Sequence, residues 1–191
     1  MKSMSSARVR LLCSATLVLL FALTCAAQPP PPGEESTPKP AAAGDVVDYT
    51  KLLPILPAPP EGWKAEEAEG STDDMGESQI STVHRDYSKG ETADAPTTSI
   101  SILDSVASPE YVELTTAGWT RSETTPEGYT KSVTIEGMPG FETFENDGKH
   151  GTLWLLVAKR YFLQIETTAQ DPAALQEWLK RIDLKKLAAI K

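Results

Sequence analysis

The sequence predicts an α+β fold in which helices flank an antiparallel β-sheet of about six to seven strands, in a three-layer α/β/α sandwich. Two observations lead to this prediction. Short segments in which apolar and polar residues alternate recur between turn residues, a pattern typical of antiparallel strands with one buried face. Residues 153–158 (LWLLVA) are instead apolar on both faces, and such a strand needs a covering layer on each side.

Alternation identifies the clearest strands, which are residues 98–102 (TSISI), 129–135 (YTKSVTI) and 161–166 (YFLQIE). Residues 78–87 are also β-like, but their apolar side chains change parity along the segment, which leaves the register open or indicates a bulge. Compact turns separate the later strands, so residues 129–167 are predicted to form an antiparallel meander.

Two helices are predicted from their start signals and apolar stripes. Ser108 precedes a proline and a glutamate, as at many helix N-termini, and Gly118 ends this helix. The second helix opens at Asp171, and the apolar residues of 175–182 recur at helical spacing. Residues 48–56 and 184–190 are expected to add short helical turns.

The first 27 residues have the three parts of a secretory signal peptide. Lys2, Arg8 and Arg10 precede an apolar run at residues 11–24, and small residues follow it. As a helix, that run would rise only about 21 Å, against a hydrocarbon core of roughly 30 Å. We therefore expect export to the periplasm, to the outer membrane through an anchor, or to the medium.

Two cleavage patterns overlap at Cys25. Residues 22–25 (ALTC) resemble a bacterial lipobox, in which the cysteine would be lipidated, although Leu23 and Thr24 depart from the usual pattern. Residues 25–27 (CAA) instead suit the ordinary signal peptidase, with Gln28 as the new first residue. The two alternatives remain open, with Cys25 as the candidate lipid-attachment residue.

A proline-rich linker, residues 28–47, is predicted to separate the signal from one globular domain, residues 48–191. The linker contains six prolines between residues 28 and 44 and lacks large apolar side chains there, so it cannot bury enough surface to fold. The domain is long enough to have its own core.

The domain resembles an uncharacterised family of bacterial exported proteins and lipoproteins. The resemblance rests on the order of elements and on residues 59–63 (PPEGW), 137–141 (GMPGF) and 153–187. Its architecture is also similar to the PsbP-like fold. Neither resemblance implies a catalytic residue.

Charge and composition exclude several functions. After the signal, the chain contains 15 Lys and Arg but 27 Asp and Glu, so it is strongly negative. We therefore expect no nucleic acid as a partner and membrane contact only through Cys25. Residues 66–77 hold six carboxylates without calcium-loop spacing, which predicts a solvated acidic loop. His84 and His150 are the only histidines, so neither a metal site nor a cofactor is predicted.

No sequence motif of nucleophilic catalysis is present, so no catalytic residue is predicted. Trp154 and Trp178 belong to apolar stripes and are expected in the core, whereas Trp63 and Trp119 lie at element ends and are the candidate binding surface. The preferred interpretation is a non-catalytic module that binds a protein or another cell-envelope component. The alternative is a periplasmic or secreted hydrolase with an unrecognised site.

Overall fold

The computed structural model describes residues 44–75 and 78–191. The predicted signal, Cys25 and residues 28–43 of the predicted linker lie outside the described residues. Residues 45–47, which the sequence assigns to the linker, are held against the domain, and Val47 is buried.

The described residues form one antiparallel sheet of nine strands: β1 (Lys64–Ala65), β2 (Glu69–Met75), β3 (Ser78–Ser88), β4 (Thr97–Asp104), β5 (Glu123–Thr125), β6 (Gly128–Ile135), β7 (Met138–Glu145), β8 (His150–Val157) and β9 (Tyr161–Thr168). Their order is β1-β3-β4-β9-β8-β7-β6-β5, and β2 also pairs with β3. Three short helices complete the described part, α1 (Pro109–Thr116), α2 (Ala173–Leu179) and α3 (Leu184–Ala189), together with 3-10 turns at Tyr49–Lys51, Leu53–Ile55 and Asp147–Lys149.

The predicted three-layer sandwich of six to seven strands is therefore wrong, because sheet dominates and the helices are few and short. β1 lies where a strand is predicted to begin, at Trp63 after the turn at residues 59–62. The strands that were missed lack a readable alternation, and β5 is only three residues long. β2, with the sequence EGSTDDM, is polar on both faces, so its pattern is that of a loop.

One face of the sheet carries the main core. In β4, burial alternates strictly, and Ile100 and Ile102 point to this face. The face is covered by the 3-10 turns at Tyr49–Ile55 and by α2 and α3, whose Leu175, Trp178 and Leu187 are buried in the same cluster. This face, called the helix-covered face below, is closed over the middle strands.

The opposite face is covered only in part. Trp119, Leu156 and Phe162 form a second, smaller buried cluster beneath the α1 segment. β8 lies between β7 and β9 and is buried on both faces here, which explains its continuous apolar sequence. Beyond α1 this face presents polar side chains to solvent.

A buried ion pair holds the start of the domain. Asp104 is fully buried and accepts hydrogen bonds from Arg160 Nε at 2.8 Å and Nη2 at 2.6 Å. The same carboxylate accepts the main-chain N–H of Val47 at 2.8 Å, and Arg160 also donates to the carbonyl of Asp45 at 3.0 Å. Residues 45–47 are thus held against the end of β4 and the turn between β8 and β9.

Candidate functional site

One edge of the sheet is only partly paired. β5 pairs with Gly128–Thr130 of β6 and then ends, so Lys131–Ile135 has, among the described residues, a strand partner on the β7 side alone. The N–H of Ser132 donates to Ser122 Oγ at 3.3 Å and therefore points away from β7. Because main-chain direction alternates along a strand, the N–H and C=O of Thr134 also point outward. On the outer side of this edge, the N–H of Ser132 is thus taken by Ser122, and Thr134 presents both its N–H and its C=O.

A groove runs beside this edge on the helix-covered face. Its first part has a volume of about 490 Å³ and lies between β6 and the start of α2, with Val133, Ala173 and Gln176 in its walls. A second part of about 400 Å³ continues toward α3 past Leu179. Ile135 and Gln176 line both parts, so the two parts adjoin.

A buried carboxylate forms the floor of the groove. The side chain of Glu142 is only 4% exposed, and Lys131 Nζ lies 2.8 Å from its Oε1. Tyr129 donates its hydroxyl to the same oxygen at 2.6 Å, and Gln176 donates to Oε2 at 3.2 Å. Three donors from β6 and α2 thus satisfy one charge carried by β7.

The electrostatics of this cluster keep the Tyr129 hydroxyl protonated. Burial, with a further contribution from the neighbouring Glu142 carboxylate, raises the pKa of Tyr129 well above its usual value. The phenol therefore stays protonated and acts as a hydrogen-bond donor. Lys131, whose side chain is 45% exposed, also lies 4.6 Å from the centre of the Tyr129 ring. The Lys131 ammonium has three N–H groups, so it can donate to an acceptor on a ligand as well as to Glu142.

The opposite edge is chemically different. β2 carries Glu69, Asp73 and Asp74, all exposed, so much of the predicted acidic loop is a strand. Gln79 donates to Asp74 at 2.8 Å, and Ser71 donates to Asp73 at 2.6 Å. Charged side chains on an outer strand discourage further pairing. Within the described part of the chain, no group of three or more His, Cys, Asp or Glu could hold a metal ion.

A serine, a histidine and an aspartate meet on the polar face without the connections of a hydrolytic triad. His84 Nε2 lies 3.1 Å from Asp86 Oδ1, and Ser99 donates its hydroxyl to that same oxygen. Burial would raise the pKa of Asp86, but the hydrogen bonds from Ser99 and His84 outweigh it and lower the pKa overall. In a triad the serine bonds to the histidine, so this arrangement leaves Ser99 without a base.

The two tryptophans predicted as a binding surface lie in different clusters. Trp63 packs edge-on against Trp178, with ring centres 5.0 Å apart, beside the main core. Trp119 is 8% exposed and packs edge-on against Phe162 in the smaller cluster. The structure does not bring the two rings together, and their role in binding stays a prediction.

Sequence reasoning missed the groove residues Lys131, Glu142 and Gln176. One signal was available, because alternation over residues 129–135 places Lys131 on the same face as Tyr129, Val133 and Ile135. The burial of Glu142 had a weaker signal, since Gly140 and Phe144 share its parity on β7 and are buried.

Comparisons of the chain with protein-family models, with curated proteins and with solved structures found no match. Among the described residues, no helix has the length and hydrophobicity needed to cross a membrane.

Proposed function

We propose that this protein is an exported, non-catalytic module of the cell envelope that binds a partner polypeptide as an added strand along β6. The observation that carries the proposal is the outer side of β6 at Lys131–Ile135, which no described strand pairs and which lies directly beside a groove. In strand addition, main-chain hydrogen bonds supply affinity, and pockets for alternate side chains supply specificity.

The groove provides the pockets for alternate side chains that strand addition needs for specificity. An added strand would place every other side chain on the helix-covered face, next to Lys131, Val133 and Ile135. Val133 and Ile135 are half-buried and border the main core, so they offer apolar surface without needing to move. A preformed groove lowers the ordering cost of binding.

The leader sequence supports the envelope part of the proposal. Residues 1–27 would direct export, and the chain would then be anchored through Cys25 or released after Ala27. A proline-rich linker of about 3.1 Å per residue would hold the domain up to roughly 50 Å from an anchor. A binding module displayed in this way reaches partners beside the membrane.

The alternative of a hydrolase gains no support from the described residues. Ser99 bonds to Asp86 and not to His84, and the Glu142 carboxylate is already occupied by three donors. Neither group is poised as a nucleophile or a base.

Substitution of Thr134 by proline tests the proposal. Its outward N–H takes no part in the β6–β7 ladder, so Thr134→Pro removes a donor for an added strand while keeping the sheet. Thr134→Val, which keeps the N–H, is the matched control. Cross-linking capture from envelope extract should recover a partner with the wild type and with Thr134→Val, and lose it with Thr134→Pro. A partner recovered equally with all three baits, or turnover in a broad hydrolase screen, would contradict the proposal.

A further inference from the structure

The turn between β7 and β8 contains an aspartate followed by a glycine. Asp147 is the only aspartate or asparagine in the sequence that has glycine as its next residue. Residues 145–149 are all exposed, and Gly148 has a positive φ of 69°. A Cβ added at Gly148 would meet no described atom within 4 Å beyond its chain neighbours, so this part of the main chain is open to solvent.

The main-chain nitrogen of Gly148 is available to act as a nucleophile. Among the described residues, its N–H donates no hydrogen bond to a residue outside the turn. Because glycine has no Cβ, the main chain can rotate with little steric hindrance to bring this nitrogen toward Cγ, the carboxyl carbon of Asp147. The two reacting atoms belong to neighbouring residues, so the reaction needs no second molecule to bring them together.

We infer that Asp147 is a modification site, at which aspartate converts to isoaspartate without an enzyme. The nitrogen of Gly148 bonds to Cγ of Asp147, one carboxyl oxygen leaves as water with the N–H proton and the carboxyl proton, and a five-membered succinimide remains. Water then adds to the ring. Addition at Cγ restores aspartate, whereas addition at the main-chain carbonyl carbon gives isoaspartate, in which the chain runs through Cγ. One water is released and one is consumed, so no other reactant is needed. The modification is independent of the proposed function.

Two other aspartates of the domain lack the features that expose Asp147 to this reaction. Asp94 also lies in an exposed loop, but the next residue is Ala95, whose N–H donates to the carbonyl of Thr92 at 3.0 Å. Asp104 is fully buried, and its carboxylate is held in the ion pair described above. In the first case the nitrogen is engaged, and in the second the carboxylate is fixed. Asp147 has neither obstacle.

The modification would alter the contacts between this turn and a neighbouring loop. The carbonyl of Gly148 accepts the N–H of Ala169 at 3.1 Å, and Lys149 Nζ lies 2.7 Å from Asp171 Oδ1. Isoaspartate adds one atom to the main chain immediately before Gly148, so both contacts are displaced relative to β7. Residues 169–171 lead into α2, which begins at residue 173. The change would therefore loosen the approach to α2 and leave the buried core intact.

Incubation of the signal-free chain in water enriched in heavy oxygen tests the inference. Each hydrolysis of the succinimide leaves a solvent oxygen in the residue, so peptide mapping by mass spectrometry locates the reaction. After several weeks at neutral pH, the folded chain should carry about tenfold more label at Asp147 than at Asp94, as glycine's backbone freedom and one unmade hydrogen bond together imply. Equal labelling of the two aspartates would overturn the inference.

Two substitutions at the same position test the mechanism. Asp147→Glu keeps the charge, but the longer side chain cannot form the five-membered ring, so the label at this position should fall to background. Asp147→Asn forms the same succinimide with loss of ammonia in place of water, and it should react faster because a neutral amide is attacked more readily than an ionised carboxylate. Label that persists in Asp147→Glu, or an Asp147→Asn chain that stays unchanged, would refute attack by Gly148.

The role of the folded turn and the effect of the modification have separate readouts. If Asp147 takes up label in urea but not in the folded chain, the turn blocks the attack and the inference is overturned. In the isoaspartate fraction, hydrogen exchange should show lost protection at the N–H of Ala169, whereas Leu163, buried in β9, should stay protected. Unchanged protection of Ala169 would refute the loosening of the approach to α2.

Discussion

The Asp104–Arg160 pair offers the sharpest test of how the domain is held together. Asp104→Asn keeps the shape of the side chain but removes its charge. The guanidinium of Arg160, only 17% exposed, then loses its counter-charge, and the N–H of Val47 competes for the single remaining oxygen. Breaking a buried pair from one side costs about 3–5 kcal/mol. Because asparagine retains one acceptor, we expect about 3 kcal/mol.

Urea unfolding of the signal-free chain measures this cost. With a typical slope, the midpoint should fall by roughly 1–2 M while the slope itself is unchanged. Glu91→Gln is the control, because the Lys64–Glu91 pair is 70% and 82% exposed and should contribute less than about 1 kcal/mol.

A double-mutant cycle separates the pair from other effects. Arg160→Met in the Asp104→Asn background removes the unpaired charge, so the double variant should be more stable than the sum of the single costs implies, by at least about 1 kcal/mol. Strictly additive costs, or a loss below about 1 kcal/mol for Asp104→Asn, would refute the reasoning.

Three further predictions concern other parts of the chain. Burial raises the pKa of Tyr87 to about 12. The stabilisation by the protonated phenol is therefore complete below about pH 10 and is lost as pH rises toward 12. When the free energy of unfolding is measured across pH, Tyr87→Phe should reduce this alkaline loss by up to about 2–3 kcal/mol. A Cβ at Gly70 would lie 2.6 Å from Tyr49 and 2.9 Å from the carbonyl of Thr82, so Gly70→Ala should destabilise by about 1–3 kcal/mol in thermal unfolding, and Gly118→Ala, which meets nothing within 4 Å, should not. Mass spectrometry of the N-terminus from fractionated cells should find lipidated Cys25 or free Gln28; intact Met1 in the cytoplasmic fraction would refute export.

The middle of the sheet could be predicted from sequence because its strands bury one face strongly. Residues 98–102 and 161–166 alternate, and the structure places both in neighbouring central strands, β4 and β9. β2 could not be predicted in this way. Its Gly70 is required by the contact with Tyr49, and its Glu69, Asp73 and Asp74 face solvent, so no periodicity marks it as a strand.

The groove was beyond sequence reasoning for a different reason. Alternation does place Lys131, Val133 and Ile135 on one face, but whether that face is covered depends on where α2 lies across the sheet. α2 contacts β8 and β9, and its Gln176 donates a hydrogen bond to Glu142 of β7. The position of α2 across the sheet is set by tertiary packing, which local sequence patterns do not encode.

The contrast between the two edges of the sheet bears directly on the proposed function. An open sheet must end in two edges, and each unpaired edge invites association. At one end, β2 carries exposed carboxylates, a common protection against pairing. At the other, β5 is three residues long, so the outer side of Lys131–Ile135 has no strand partner among the described residues and lies beside half-buried valine and isoleucine side chains. A longer β5 would close this edge without altering the core. The open stretch is thus confined to the segment where the groove also lies, which is the arrangement that the proposed strand addition requires.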